Sequence, residues 1–358
     1  MALCRRVGRS SWPLVVRARN PDGQRPTANG QRILTHFGAF TRLASRRNLG
    51  RRSQVVRQRS AKPLFAGSIP AVASITVPPN FNFRSTVVSH GWYLLAPFRW
   101  SAAEGVLRRV EILAGRPVEI SIAFDGKALA VSGARDSAEL RARVRRMFQL
   151  GVDTSEFVAL ARRSPEHGWV ERAGFGRLLC GATLFEDVAK IIATTNTRWS
   201  QTRRMVQLLV ERCGRGGAFP EPADIARLTV DELQRDCRLG YRASSVHSLA
   251  SGMAAGSIVP ARIADPWQST KKLFESYRSL PGIGPYGAAH LLAMDGRHDF
   301  IAVDTEFRRF VRERYHKGRA VSDKTMLRRY AKWGRWKYLA YWSELWSSVA
   351  SRLVEPAQ

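Results

Sequence analysis

Apolar and polar residues alternate along Val118-Glu119-Ile120-Ser121-Ile122, and Asp125-Gly126 then turns the chain into Ala128-Leu129-Ala130-Val131. A period of two with a tight-turn dipeptide predicts an antiparallel hairpin. Phe81-Asn82-Phe83 and Thr86-Val87-Val88 are also β-prone, so Ser74 to about Gly133 reads as a small antiparallel sheet. Beyond it the period lengthens. Leu184, Val188, Ile191 and Ile192 recur at helical spacing behind Thr183 and Glu186, which stand in capping-box register. Thr229 and Glu232 repeat that cap ahead of Leu233, and Phe307, Phe310, Val311 and Tyr315 form an apolar stripe opposite Arg308, Arg309 and Arg312. No fixed-period repeat is present. The expected class is α+β: a sheet domain over residues 74–135, then a mostly helical domain over 136–354.

Residues 1–73 follow neither period. Arg5-Arg6, Arg46-Arg47 and Arg51-Arg52 cluster among Ser, Gly and Gln, a composition that cannot bury enough apolar surface to offset ordering entropy. Three readings stand for this segment: a nonspecific DNA-binding arm, an Arg-rich organelle transit peptide, or sequence upstream of the true start. It is expected to be disordered and is set aside from the fold.

Charge narrows the partner. The chain has 58 Lys plus Arg against 29 Asp plus Glu, a net charge of +29. The first 70 residues hold 15 basic residues and one acidic residue, Asp22, yet the remainder is still strongly basic. A basic excess in both parts points to a polyanion, with nucleic acid as the default. No apolar run approaches the roughly 18 residues of a membrane span, so a soluble protein is expected. Cys4, Cys180, Cys213 and Cys237 form no C-x-x-C pair, which signals neither zinc nor a disulfide framework and suits small core residues in a reducing compartment.

Candidate chemistry lies in Leu280-Pro281-Gly282-Ile283-Gly284-Pro285-Tyr286. A helix with Trp267, Leu273, Phe274 and Tyr277 precedes it, and a helix of small residues and leucines follows. Gly282 and Gly284 permit positive φ and close backbone approach. The N–H groups opening the second helix can hold a phosphate, and Pro285 suits its first position while removing one donor. Asp304 comes 20 residues after Gly284, delivered by Phe300-Ile301-Ala302-Val303 to a helix start. Alone, the turn is an ordinary one and the Asp an N-cap.

Together, Leu-Pro-Gly-Ile-Gly and the later Val303-Asp304 resemble the signature of the helix-hairpin-helix DNA glycosylases. The resemblance covers roughly residues 80–350. Ser89-His90-Gly91-Trp92-Tyr93 with Pro97-Phe98-Arg99-Trp100 is similar to the opening of the sheet domain in 3-methyladenine DNA glycosylase II and its relatives. Ile192-Ala193-Thr194-Thr195-Asn196, and its spacing to Met205-Val206, resemble the helix end of 8-oxoguanine glycosylases. Trp333-Gly334-Arg335-Trp336 and the following aromatic helix resemble the C-terminal helix of bacterial members.

The resemblance implies base-excision repair: a damaged purine, alkylated or oxidised, is flipped from duplex DNA and its N-glycosidic bond is hydrolysed. It implies Asp304 as the catalytic carboxylate, and Leu280, Pro281, Gly282, Ile283 and Gly284 as the hairpin that grips backbone phosphates. Asn196 would fill the gap left by the base, with Arg198 and Trp199 as neighbours that could serve instead. Tyr286 and His290 would line the base pocket, with Trp92 and Tyr93 as looser candidates better suited to core packing. The hairpin carbonyls of Leu280 and Ile283 match positions that hold a monovalent cation in relatives.

Departures shape the expected chemistry. Bifunctional members carry a Schiff-base lysine where Tyr286 stands, so strand cleavage is not expected. No Cys follows Cys237, so the iron–sulfur cluster of some members is not expected, and no zinc is signalled. Pro285 replaces a polar residue of the hairpin. The expected protein is a monomer acting on duplex DNA with a damaged base, cytoplasmic and nucleoid-associated unless residues 1–73 direct it to an organelle. The rival reading is a noncatalytic helix-hairpin-helix DNA-binding module, which needs neither Asp304 nor a preceding sheet.

Overall fold

The computed structural model describes residues 73–354, with the backbone alone for 348–354. The basic segment 1–72 lies outside the described residues. A five-stranded antiparallel sheet opens the fold: β1 (Ala73–Thr76), β2 (Arg99–Ser101), β3 (Val106–Leu113), β4 (Arg116–Phe124) and β5 (Ala128–Ser132), in the order β1-β5-β4-β3-β2. Register follows the period-two pattern. Leu107 faces Ile122, Ile122 faces Val131 and Val131 faces Ala73, a row of four buried side chains running across the sheet.

The β-prone stretch 81–88 is not a strand. Asn82 accepts the Ser85 N–H at 2.9 Å and caps helix α1 (Phe83–Val87). An Asx side chain offers the backbone a local alternative to the sheet ladder. Burial then favours the helix, because Phe83 stacks on Phe148 at 5.4 Å and meets Trp100 edge-on at 5.8 Å.

Helix α2 (Ala138–Met147), capped by Ser137, lays Leu140, Val144 and Met147 on the sheet. Then come α3 (Ser155–Arg162), α4 (Trp169–Arg172), α5 (Leu184–Thr194), α6 (Trp199–Cys213), α7 (Pro222–Ala226), α8 (Val230–Cys237), α9 (Arg242–Ala254) and α10 (Pro260–Ile263). The chain ends with α11 (Thr270–Arg278), α12 (Pro285–Met294), α13 (Thr305–Tyr315), α14 (Asp323–Arg328) and α15 (Lys337–Val354). The sheet shares one apolar core with α2, α5, α6, α8, α9 and α12. Residue 135 therefore marks a change of secondary structure and not an independent core.

Of the two expected caps, Thr229 and Glu232 close both arms of the box. Thr183 accepts the Glu186 N–H at 3.2 Å, but the Glu186 carboxylate does not return to Thr183. It is held instead by Arg109 of β3 at 2.8 Å and Lys190 at 2.6 Å, all nearly sealed from solvent. Burial alone would raise its pKa, yet the two cations hold it well below the usual carboxylate range. Glu111 joins by pairing with Arg109 and with Arg143 of α2. This ionic cluster ties the sheet to α5.

A second core, rich in aromatics, gathers Phe157, Phe175, Phe307, Trp333, Trp336, Tyr338, Tyr341 and Trp342. Helix α12 lies between the two cores. Ala288, Leu291 and Leu292 face the first, and Ala289 and Ala293 the second. Buried on all sides, α12 needs no amphipathic stripe. Its C-terminal carbonyls are met by Gln149, whose Nε2 donates to Ala293 at 2.8 Å and Met294 at 2.6 Å.

Candidate active site

The segment between α11 and α12 is a hairpin anchored from below. Leu280 and Ile283 are buried, the Ile283 N–H donates to the Leu280 carbonyl at 3.1 Å, and Gly282 and Gly284 are exposed. Gly282 has φ +75°, and a Cβ there would lie 2.7 Å from Ser245 of α9. Both the backbone angle and the neighbour demand glycine. At Gly284 nothing stands within 4 Å of where a Cβ would be. That residue caps α12, with Pro285 in its first turn, so the helix start faces open space. A phosphate can approach there along the helix dipole.

Asp304 caps α13. Its Oδ1 accepts the Phe307 N–H at 2.7 Å. Burial raises its pKa to about 6, against the lowering by the Phe307 N–H and with a further rise from Glu306. Desolvation thus outweighs the helix start, whose dipole favours the ion. Tyr286 is close enough to feel that charge: burial first, then Asp304, push its phenol well up, while its hydroxyl bonds Thr194 at the end of α5. The Tyr286 and His290 rings lie 5.8 Å apart. His290 is enclosed by His90, Trp92, Tyr338 and Trp342, with centroids at 6.0, 5.8, 6.1 and 6.4 Å. Burial lowers its pKa to about 4, so the imidazole is neutral near pH 7.

Thr195 closes α5, and the exposed Asn196 follows in the left-handed region at φ +43°. The Asn196 Nδ2 lies 3.5 Å from the Tyr241 hydroxyl. Tyr241 is 63% exposed and stacks on the Arg242 guanidinium at 4.4 Å. Arg242, opening α9, donates to the carbonyls of Thr195 and Asn196 and so fixes this loop.

The fold therefore gathers the Leu280–Gly284 hairpin, Tyr286, Asp304 and the end of α5 that leads to Asn196, with His290 buried behind Tyr286. Trp92 is buried beside His290 and donates to the buried Asp187 at 2.8 Å, which agrees with core packing. Tyr93 is half-buried, and burial raises its pKa. Arg198 is exposed beside Asn196, whereas the Trp199 indole is packed so closely on Gly91 that a Cβ there would lie 2.6 Å from it. Lys271 and Lys272 are exposed on α11. Tyr241 and Arg242 escaped sequence reasoning. Their only local signal is a Gly-Tyr-Arg step at a helix start, and their place beside Asn196 depends on how α9 packs.

Residues 189–335 match the family model described as HhH-GPD superfamily base excision DNA repair protein. No curated protein matches the sequence. Among solved structures, 3-methyladenine DNA glycosylase from Archaeoglobus fulgidus aligns with TM-score 0.61 at 21% identity, over 77% of this chain and 98% of that one. The 8-oxoguanine glycosylase/lyase of Clostridium acetobutylicum, solved with double-stranded DNA containing cytosine opposite 8-oxoG, aligns with TM-score 0.60 at 18% identity, over 76% and 93%. At these identities the likeness is one of fold.

Proposed function

We infer, for a chain whose residues 189–335 carry a domain of the HhH-GPD superfamily of base-excision DNA repair proteins, that it excises a damaged purine from duplex DNA by hydrolysis, without lyase chemistry. One observation carries this reading: Asp304 caps its helix close enough to Tyr286, in the first turn of the hairpin's second helix, for its charge to act on the phenol. A hairpin gripping phosphate at Gly282–Gly284 would hold the backbone while the nucleotide swings out of the stack. Asn196, flanked by Tyr241, would enter the gap.

Departure of the base builds positive charge on the deoxyribose. The Asp304 carboxylate, ionised above pH 6, stabilises that charge and aligns a water for attack on the sugar carbon. Tyr286 and the neutral His290 behind it offer aromatic surface to the extruded base. Tyr286 has no amine, so no Schiff base forms there and an abasic site is left with both strands intact. The hairpin suits a monovalent cation as well: the Leu280 carbonyl keeps a lone pair beyond the one taken by Ile283 N–H, and Ile283 supplies a second carbonyl. Such an ion would add positive charge for the phosphate, and no chemical step passes through it. The protein is taken to act as a monomer.

Duplexes carrying one alkylated or oxidised purine each, incubated with the protein and then heated in alkali, test the reading. Cleavage of a lesion strand only after alkali supports it. Intact strands across the whole panel, despite duplex binding, would reduce the protein to a noncatalytic module.

A further inference from the structure

Cys213 closes α6 and Cys237 closes α8, and their sulfurs lie 3.5 Å apart although the residues are 24 positions apart in sequence. Cys237 is buried on the same stripe as Leu233, while Cys213 is partly exposed. Sequence spacing alone suggested two unrelated core thiols. We infer that Cys213 and Cys237 form a dithiol that closes to a disulfide under a two-electron oxidant such as hydrogen peroxide, tethering the turn that carries Tyr241.

The chemistry balances. A Cys213 thiolate attacks peroxide, giving a sulfenic acid and hydroxide; the Cys237 sulfur displaces the sulfenic oxygen as water; the two protons released end in water. Two thiols lose two electrons and peroxide gains them. The roles are unequal. Cys213 is partly exposed whereas Cys237 is buried, so peroxide reaches the Cys213 sulfur first and Cys237 is left to resolve it. An S–S bond of about 2.05 Å requires the sulfurs to approach by roughly 1.5 Å, a side-chain adjustment at two helix ends. Cys180 differs: it is fully buried, its thiol donates to the Leu178 and Met294 carbonyls, and burial raises its pKa.

The tether reaches a functional face. Cys237 leads through Arg238 and Gly240, both with positive φ, to Tyr241, which touches Asn196. Pinning Cys237 to α6 shortens the free run of that turn.

The experiment treats the full chain, with Cys4→Ser to remove the thiol outside the described residues, with stoichiometric hydrogen peroxide, then alkylates and maps peptides without reductant. The expected product links Cys213 to Cys237, is reversed by dithiothreitol, and melts higher by on the order of 5 °C. Hydrogen exchange at residues 238–241 should slow by about tenfold. In Cys237→Ala, peroxide should leave Cys213 as an oxyacid with no cross-link. Wild-type Cys213 that stays reduced, or passes to a sulfinic acid without the linked peptide, overturns the proposal. A linked peptide with unchanged exchange at 238–241 overturns the tether to Tyr241. Mapping of the Cys4→Ser chain decides the first point even if Cys237→Ala fails to fold.

Discussion

Asp304 shows how one side chain is asked for two things at once. As an N-cap it holds the Phe307 N–H, and as a desolvated carboxylate it is raised to about 6. Asparagine caps helices as well as aspartate does. The raised pKa means the fold binds a proton there more tightly than the unfolded chain, so ionisation costs stability as pH rises from about 4 toward 6. Asp304→Asn is therefore expected to melt no lower than wild type near pH 7 and to bind duplex equally well, yet to release base slower by on the order of a thousandfold. Near-normal single-turnover rates in that variant would remove Asp304 from the chemistry. In the wild type, loss of the ionised form makes the rate fall as pH drops through about 6, by about tenfold per unit below it. A flat profile between pH 4.5 and 8 would contradict this. Tyr286 adds its own expectation: borohydride should trap no covalent protein–DNA adduct. An adduct lost on changing one lysine would reveal a displaced amine. At this scale the sequence was most readable, because the 20-residue step from Gly284 to Asp304 is linear information. Tyr241 was invisible for the opposite reason, since its meaning lies in a contact 45 residues away.

Elements were legible where one force acted alone. The 118–131 hairpin follows its alternation, and α8 follows its cap and apolar stripe. Competing forces produced the differences. At 81–88, β propensity lost to the Asn82 cap and to burial of Phe83. At Glu186, a residue placed for a capping box was drawn into the ionic cluster by Arg109 and Lys190, partners that only the sheet-to-helix packing supplies. That cluster should matter more than any cap. Glu186→Gln leaves Arg109 and Lys190 buried with less compensation and is expected to cost about 3 kcal/mol in urea unfolding. Thr229→Ala, removing one complete box, should cost about 1 kcal/mol. Equal losses for the two variants would mean that the cluster is better solvated than its burial implies.

Over the whole molecule, the basic excess suits a polyanion, and the hairpin proposed to hold phosphate lies against the helix that leads to Asn196, with Gly282 beside Ile192. The segment preceding the described residues carries nearly half of the net charge and no periodic apolar pattern. Ala73 belongs to the fold, since it pairs with Val131 in the sheet and is buried. A cut that respects the register therefore removes residues 1–70 and keeps β1. The shortened protein is expected to unfold cooperatively at the same midpoint and to retain its single-turnover rate on saturated substrate. What should change is the electrostatics of binding. Each phosphate contact contributed by the segment releases a counterion, so the slope of log affinity against log salt should flatten by about 0.9 for each contact removed. Affinity should fall most at low salt and converge with that of the full chain as salt rises. If instead the midpoint drops or cooperativity is lost, the basic segment is part of the folded core and its composition has been misread. An unchanged midpoint with an unchanged salt slope would leave it folding-neutral and would place all phosphate contacts on residues after 70.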